Sequence, residues 1–161
     1  MNIDELRESL LAAPKNGYTR ITAEERAEME AYCARYVQFL STCKMEREAT
    51  AWAVAEAEKR GFKPFVPGMA LASGDKVYYN NRGKSICLAV MGKETMDKGS
   101  MICAAHVDSP RMDVKPNPLY EDSELGYLKT HYYGGIKKYQ YVTIPLAIHG
   151  VVYRKDTLWF P

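Results

Sequence analysis

An α/β fold, helices first and strands after, is what this sequence predicts. Three observations carry that reading. Apolar residues recur at helical spacing through about the first 60 positions. From Lys76 onward the period becomes extended, and most of the 12 tyrosines lie in the second half, where aromatic residues favour strands. Between the two regimes, Phe62-Lys63-Pro64-Phe65-Val66-Pro67-Gly68 supplies two prolines and a glycine, which predict an irregular connector. A chain of 161 residues is long enough for one domain with a core.

The helices are read from their ends and their stripes. Residues 3–12 place Leu6 and Leu10 four apart, and Pro14-Lys15-Asn16-Gly17 stops the helix. Thr22-Ala23-Glu24-Glu25 has the capping-box pattern, so a helix is predicted to about Cys43. Its buried stripe is predicted to be Met29, Cys33, Tyr36 and Leu40. A third helix is predicted over residues 47–60, anchored by Trp52 and ended by Gly61. Ala49, Ala53 and Ala57 leave room for another element to approach it closely.

The strands follow. Residues 76–80 and 85–90 flank Asn81-Arg82-Gly83-Lys84 and predict a hairpin. Residues 91–98 read as a polar loop. Residues 101–105 are small and apolar and read as the central strand. Residues 111–115 and 125–133 read as strands on either side of the acidic loop Glu121-Asp122-Ser123-Glu124. Lys115-Pro116-Asn117-Pro118 stiffens the exit from the first. Residues 141–144 and 146–153 are extended and apolar around Pro145. Arg154-Lys155-Asp156 is expected to turn into a last strand at residues 157–160. An unfinished apolar strand pair at Leu158-Trp159-Phe160-Pro161 leads us to expect the N-terminal piece of a longer protein.

Composition excludes several function classes. A net charge of +2 gives no field that would draw the chain to nucleic acid or membrane. No apolar run approaches the roughly 20 residues of a membrane span, and Met1-Asn2-Ile3-Asp4-Glu5 lacks a signal-peptide core. The default expectation is a cytoplasmic protein. Cys33, Cys43, Cys87 and Cys103 lack CxxC spacing and are expected to be buried, reduced thiols. Walker A, GxSxG and GxGxxG motifs are absent, and nothing offers the four close ligands of a structural zinc site.

Chemistry concentrates at Cys103-Ala104-Ala105-His106-Val107-Asp108-Ser109-Pro110. In an extended segment, residues two apart point to one side. His106 and Asp108 therefore suit a pair in which a carboxylate orients a metal-bound imidazole. The plainer reading is a strand-end histidine followed by an Asx turn, and the spacing by itself favours it. Cys103 and His106 lie an odd offset apart and cannot share an ion from one strand. His131 and His149 read as hydrogen-bonded structural histidines, although His131 lies next to Tyr132-Tyr133-Gly134-Gly135 and could line a pocket. The two glycines there permit positive φ, for a plain turn or for a close pass beside a ligand. Asn80-Asn81-Arg82-Gly83-Lys84 reads as an exposed hairpin tip.

Taken in order, His106-Val107-Asp108-Ser109-Pro110, Val114-Lys115-Pro116 and Tyr133-Gly134-Gly135 form a set that resembles the start of a dinuclear zinc aminopeptidase of the aspartyl aminopeptidase and aminopeptidase I family. The run Gly135-Ile136-Lys137-Lys138-Tyr139-Gln140-Tyr141-Val142-Thr143-Ile144-Pro145-Leu146 is similar to one branch of that family, where it leads toward a dimerisation domain. The likeness extends to about Asp156. Beyond it the chain has Thr157-Leu158-Trp159-Phe160-Pro161 where family members continue with Gly.

The resemblance implies N-terminal helices packed on the mixed sheet of a zinc-exopeptidase-like catalytic domain, residues 1–140. Residues 141–161 would be the β-rich start of an incomplete dimerisation domain. It implies His106 as the first zinc ligand and Asp108 as the catalytic acidic residue that orients the metal site. The implied cofactor is zinc, two ions in the complete family member, with cobalt or manganese as substitutes. The implied partners are peptide substrates and further copies of the same chain. The remaining family ligands (a bridging Asp, a Glu-Glu pair, a further Asp and a C-terminal His) lie downstream, so these 161 residues alone are expected to be inactive. The rival expectation is a truncated homologue that serves as a binding or assembly module, with residues 158–160 pairing with a partner's strand.

Overall fold

The computed structural model describes residues 2–12, 14–153 and 155. The chain forms two compact units, residues 1–41 and 42–161.

The first unit is helical. Helix α1 (Ile3–Leu10) starts at Asn2, whose side chain accepts from the Glu5 N–H at 2.9 Å while Glu5 reaches back to the Asn2 N–H at 2.9 Å. Helix α2 (Ala23–Thr42) opens on the predicted box. Thr22 N–H donates to the Glu25 carboxylate at 2.8 Å, and Glu25 N–H donates to Thr22 Oγ1 at 3.2 Å. Two of the orphan amide donors of a helix start are thereby satisfied. The predicted stripe is not buried: Met29 is intermediate, and Cys33, Tyr36 and Leu40 are exposed. Helical spacing selects a face, but a face is buried only if something covers it.

The second unit holds a three-stranded mixed sheet and a separate two-stranded ribbon. Helix α3 (Glu46–Lys59) packs on the sheet. It ends in a Schellman motif, as Gly61 led us to expect. Gly61 takes φ +82°, its N–H donates to the Glu58 carbonyl at 3.0 Å, and Phe62 N–H donates to the Ala57 carbonyl at 3.0 Å. At the other end the Glu48 carboxylate accepts from the Lys44 and Met45 N–H groups at 2.6 and 3.2 Å.

The alanine stripe does what its size permits. Ala49 and Ala57 are buried, Ala53 is half-buried, and the facing strand contributes buried Val77 and Tyr78. Trp52, the expected anchor, is instead 40% exposed. Thr50 is fully buried with no hydrogen-bond partner for its hydroxyl.

Strands β2 (Lys76–Asn81) and β3 (Ser85–Val90) form the predicted antiparallel hairpin, with Val77 opposite Ala89 and Tyr79 opposite Cys87. Arg82 and Gly83 make the turn with φ +58° and +69°. The connector is not wholly irregular. Lys63 and Pro64 form a short strand β1 parallel to β2, opposite Val77 and Tyr78. Pro64 is tolerated because β1 is an edge, where a missing N–H costs no ladder bond. Tyr78 ties strand to helix through its hydroxyl, which donates to Glu58 Oε1 at 2.7 Å.

Strands β4 (Arg111–Asp122) and β5 (Leu125–Tyr133) form a long ribbon. The acidic loop shrinks to Ser123 and Glu124, both at positive φ (+54° and +61°), the geometry of a tight hairpin turn. Lys115-Pro116-Asn117-Pro118 does not end β4. It forms an irregularity between Val114 and Leu119, where four residues on β4 face the single Lys129 on β5. Two prolines cannot join the ladder, so they bulge out of it.

Three further expectations are corrected. Residues 101–105 are not a central strand: they join no ladder, and Met101 and Ile102 are 97% and 81% exposed. An extended apolar run becomes a strand only when a partner's amides and carbonyls are in reach, and among the described residues none is. Lys138–Tyr141 is a helical turn, α4, and residues 142–153 pair with no strand. Cys33, Cys87 and Cys103 are exposed and Cys43 is intermediate, although all four are free thiols. The elements that carry them are left uncovered on those faces. The turn predicted at Arg154 and Asp156 and the strand at residues 157–160 lie outside the described residues.

Candidate metal-site edge

Residues 99–110 run to β4 as irregular chain, so His106 and Asp108 stand on a loop and not on a strand end. The predicted pairing nevertheless forms. His106 Nδ1 lies 2.7 Å from the main-chain carbonyl of Asp108 and 3.1 Å from its Oδ1. A carbonyl oxygen can only accept, so Nδ1 must carry the hydrogen. In the neutral ring the lone pair is then on Nε2, the nitrogen left to meet a ligand. The His106 side chain is 80% exposed, against 28% for Asp108.

Asp108 is held from its other side. Tyr133, the last residue of β5, donates its hydroxyl to Asp108 Oδ2 at 2.6 Å. That bond is the main reason the Asp108 carboxyl sits below its usual range, with its own main-chain N–H and the neighbouring His106 adding to the effect. The same bond pushes the Tyr133 hydroxyl above its usual value. Asp108 is therefore an ionised acceptor at neutral pH, and Tyr133 a protonated donor.

Tyr133 is itself fixed. The Arg111 guanidinium lies 4.6 Å from its ring centroid, within cation–π range. Arg111 Nε donates to Asp113 Oδ1 at 2.7 Å, and Nη2 pairs with Glu46 Oε1 at 3.0 Å. Gly134 follows at φ +70°, and a Cβ there would stand 3.3 Å from two side-chain atoms of Pro110. The Gly-Gly turn, expected as a plain turn or a pass beside a ligand, instead lies close to the His106–Pro110 loop.

The other two histidines take separate places. His149 Nδ1 meets Glu48 Oε1 at 2.8 Å, a structural bond as expected. His131 lies 3.9 Å from Asp113 Oδ2, beyond hydrogen-bond reach. Among the described residues no group of three His, Cys, Asp or Glu side chains converges on one point. The donor chemistry present therefore fits one nitrogen ligand and its orienting carboxylate. A cavity of about 370 Å³ is lined by Met45, Glu46, Arg47, Lys84, Val151 and Tyr153, and not by His106. Sequence reading missed Tyr133, Arg111 and Glu46 as parts of this site. The one available signal was the tyrosine directly before Gly134.

The fold and this loop define a mixed α/β protein that presents an oriented imidazole beside a carboxylate. Comparison with known proteins specifies the class. Residues 39–158 match the family described as aminopeptidase I zinc metalloprotease (M18), and the chain belongs to that family. It is 48% identical over 151 residues to a probable M18 family aminopeptidase 1 of Clostridium acetobutylicum, covering 91% of this chain and 32% of that protein. The crystal structure of aminopeptidase I from Clostridium acetobutylicum is similar with a TM-score of 0.76 and 46% identity, over 91% of this chain and 33% of that one. That of aminopeptidase I from Borrelia burgdorferi B31 is similar with a TM-score of 0.77 and 40% identity, over 81% and 32%. The chain spans about a third of the length of these relatives. No helix among the described residues is long and apolar enough to cross a membrane.

Proposed function

We propose that this chain is the N-terminal portion of a zinc aminopeptidase, with His106 as a zinc ligand through Nε2 and Asp108 as the residue that orients it. The observation that carries this is the pinned Nδ1 of His106, 2.7 Å from the Asp108 carbonyl and 3.1 Å from its carboxylate, in a chain of a zinc metalloprotease family. When bound, zinc supplies an acidified water and a Lewis acid for the scissile carbonyl. This chain's residues do the rest of what is assigned to them. Asp108 holds the imidazole in one tautomer and raises its basicity. His106 presents one nitrogen. Two ions, cobalt or manganese as substitutes, a cytoplasmic location, peptide substrates and a homo-oligomer complete the reading. So does the division into residues 1–140 as catalytic and 141–161 as the start of a dimerisation domain.

One nitrogen ligand does not hold zinc usefully against the usual three or four, so the 161-residue chain is proposed to be inactive by itself. Aminoacyl substrates offered to the pure chain with zinc or cobalt should show no turnover, and measurable turnover overturns this. In a protein carrying the rest of the family length, His106→Ala should abolish activity and lower zinc content. Retained zinc and activity would remove His106 from the ligand set.

A second reading has its own support. Val142, Ile148 and Val152 are 82%, 78% and 86% exposed in the stretch after α4, more than solvent-facing connectors need. An assembly module would cover them with a second chain. Size-exclusion with light scattering decides: a discrete, folded oligomer supports the module, and a monomer or aggregate speaks against it.

A further inference from the structure

Asp108 carries two duties on two oxygens. Oδ1 faces His106 Nδ1 at 3.1 Å, and Oδ2 accepts the Tyr133 hydroxyl at 2.6 Å. Such a short O–H···O⁻ contact belongs to the strong, charge-assisted class. It decides which way the carboxylate turns. The last torsion of a carboxylate is broad and two-fold, and on this irregular, partly exposed loop the Tyr133 hydroxyl is its shortest contact, ahead of His106 Nδ1 at 3.1 Å.

The donor's position is set from elsewhere. Arg111 stands opposite Tyr133 in the ribbon and stacks on its ring at 4.6 Å. Arg111 is itself clamped by Asp113 at 2.7 Å and by Glu46, in the first turn of α3, at 3.0 Å. Gly134 lies against Pro110, where a Cβ would stand a tight 3.3 Å from the Pro110 side chain, which brings β5 to the loop that bears Asp108. A hydrogen-bonded and stacked path therefore leads from α3 through Arg111 and Tyr133 to the His106 ring.

We propose that Tyr133 is a positioning residue for the His106–Asp108 pair, its hydroxyl turning the Asp108 carboxylate toward Nδ1 while Arg111 holds its ring. The inference rests on the reading of His106 as a zinc ligand, because it concerns which nitrogen that ligand offers. Tyr133 touches neither metal nor substrate in this role. It acts through Asp108 by turning a second acceptor, the carboxylate at 3.1 Å, toward the Nδ1 hydrogen that the Asp108 carbonyl already takes at 2.7 Å.

The test is the tautomer of His106 in the metal-free 161-residue chain. Long-range proton–nitrogen spectra report which ring nitrogen carries the hydrogen. The unaltered chain should show hydrogen on Nδ1. Tyr133→Phe keeps the ring beside Arg111 and removes only the hydroxyl. It should raise the share of the Nε2-protonated form about fivefold, the size expected for one lost hydrogen bond, with the β4–β5 amide spectrum unchanged. Asp108→Asn should shift the ratio the same way. An unchanged ratio in Tyr133→Phe overturns the proposal, whether or not Asp108→Asn responds. So does loss of the β4–β5 ladder in Tyr133→Phe, which would make the residue structural. Zinc content in a protein carrying the rest of the family length separates this result from the metal reading. If His106→Ala retains its zinc there, His106 is no ligand, and the tautomer result stands by itself.

Discussion

Between α3 and the β2–β3 hairpin, Ala49 and Ala57 meet Val77 and Tyr78 in a small buried patch. Between the His106 loop and β5, contact is made by Tyr133 on Asp108, Arg111 on Tyr133 and Gly134 against Pro110. The first region is held by close apolar packing, which is non-directional and tolerant of small shifts. The second is held by a few directional, charged contacts near water, where displacing one atom changes the outcome. One region therefore sets whether the unit folds, and the other sets whether a side chain is aimed.

Ala57→Leu should break the packed region outright. With Ala57 4% exposed, the extra volume has nowhere to go, and overpacking costs about 1–3 kcal/mol. Urea unfolding followed by far-UV circular dichroism measures it, and an unchanged midpoint would mean that the alanine stripe is not close-packed. Gly134→Ala acts on the other region. Its φ of +70° and the 3.3 Å approach to Pro110 predict a local cost of about 1–2 kcal/mol. The loss should appear as faster amide exchange at the end of β5 and around Asp108, with α3 protection unaltered.

Thr50→Val sharpens the contrast in the opposite direction. Its hydroxyl is buried without a partner, so replacing it with a methyl should stabilise the unit by about 1 kcal/mol in the same urea experiment. The smallest effect belongs to Glu48. The His149 ring, and then the Lys44 N–H, hold its carboxyl below the usual range. A depressed carboxyl contributes stability above its unfolded value, near 4.3, and loses it as pH falls through the lower folded value. Glu48→Gln should flatten the acid side of the stability–pH curve by lowering stability at neutral pH, and leave the most acid end little changed. An equal acid slope in both proteins would rule Glu48 out as its source.

Much of the scaffold was legible because its causes are local. The capping box at Thr22 and Glu25, the C-terminal signal at Gly61, the small-residue stripe and the 76–90 hairpin each depend on residues a few positions apart. The stretch at 101–105 was misread for the opposite reason. Strand propensity lies within a segment, but a strand exists only where another segment supplies its hydrogen bonds. The buried thiols and the α2 stripe failed likewise, since burial is a property of what lies on top.

The sequence by itself put His106 and Asp108 two residues apart and so within reach of each other, although the strand expected to align them is an irregular loop. It also determined family membership, which rests on the ordered motifs. Only the tertiary structure decided that Tyr133 and Arg111 join them. Carrying the tight pairing at Asp122–Leu125 straight along the ribbon would set Arg111 opposite Ile136. The four residues Lys115–Pro118 facing the single Lys129 shift the register by three and bring Arg111 to Tyr133 instead. A register is the sum of every turn and bulge between two residues. It is settled when the ribbon closes, and no local pattern states it in advance.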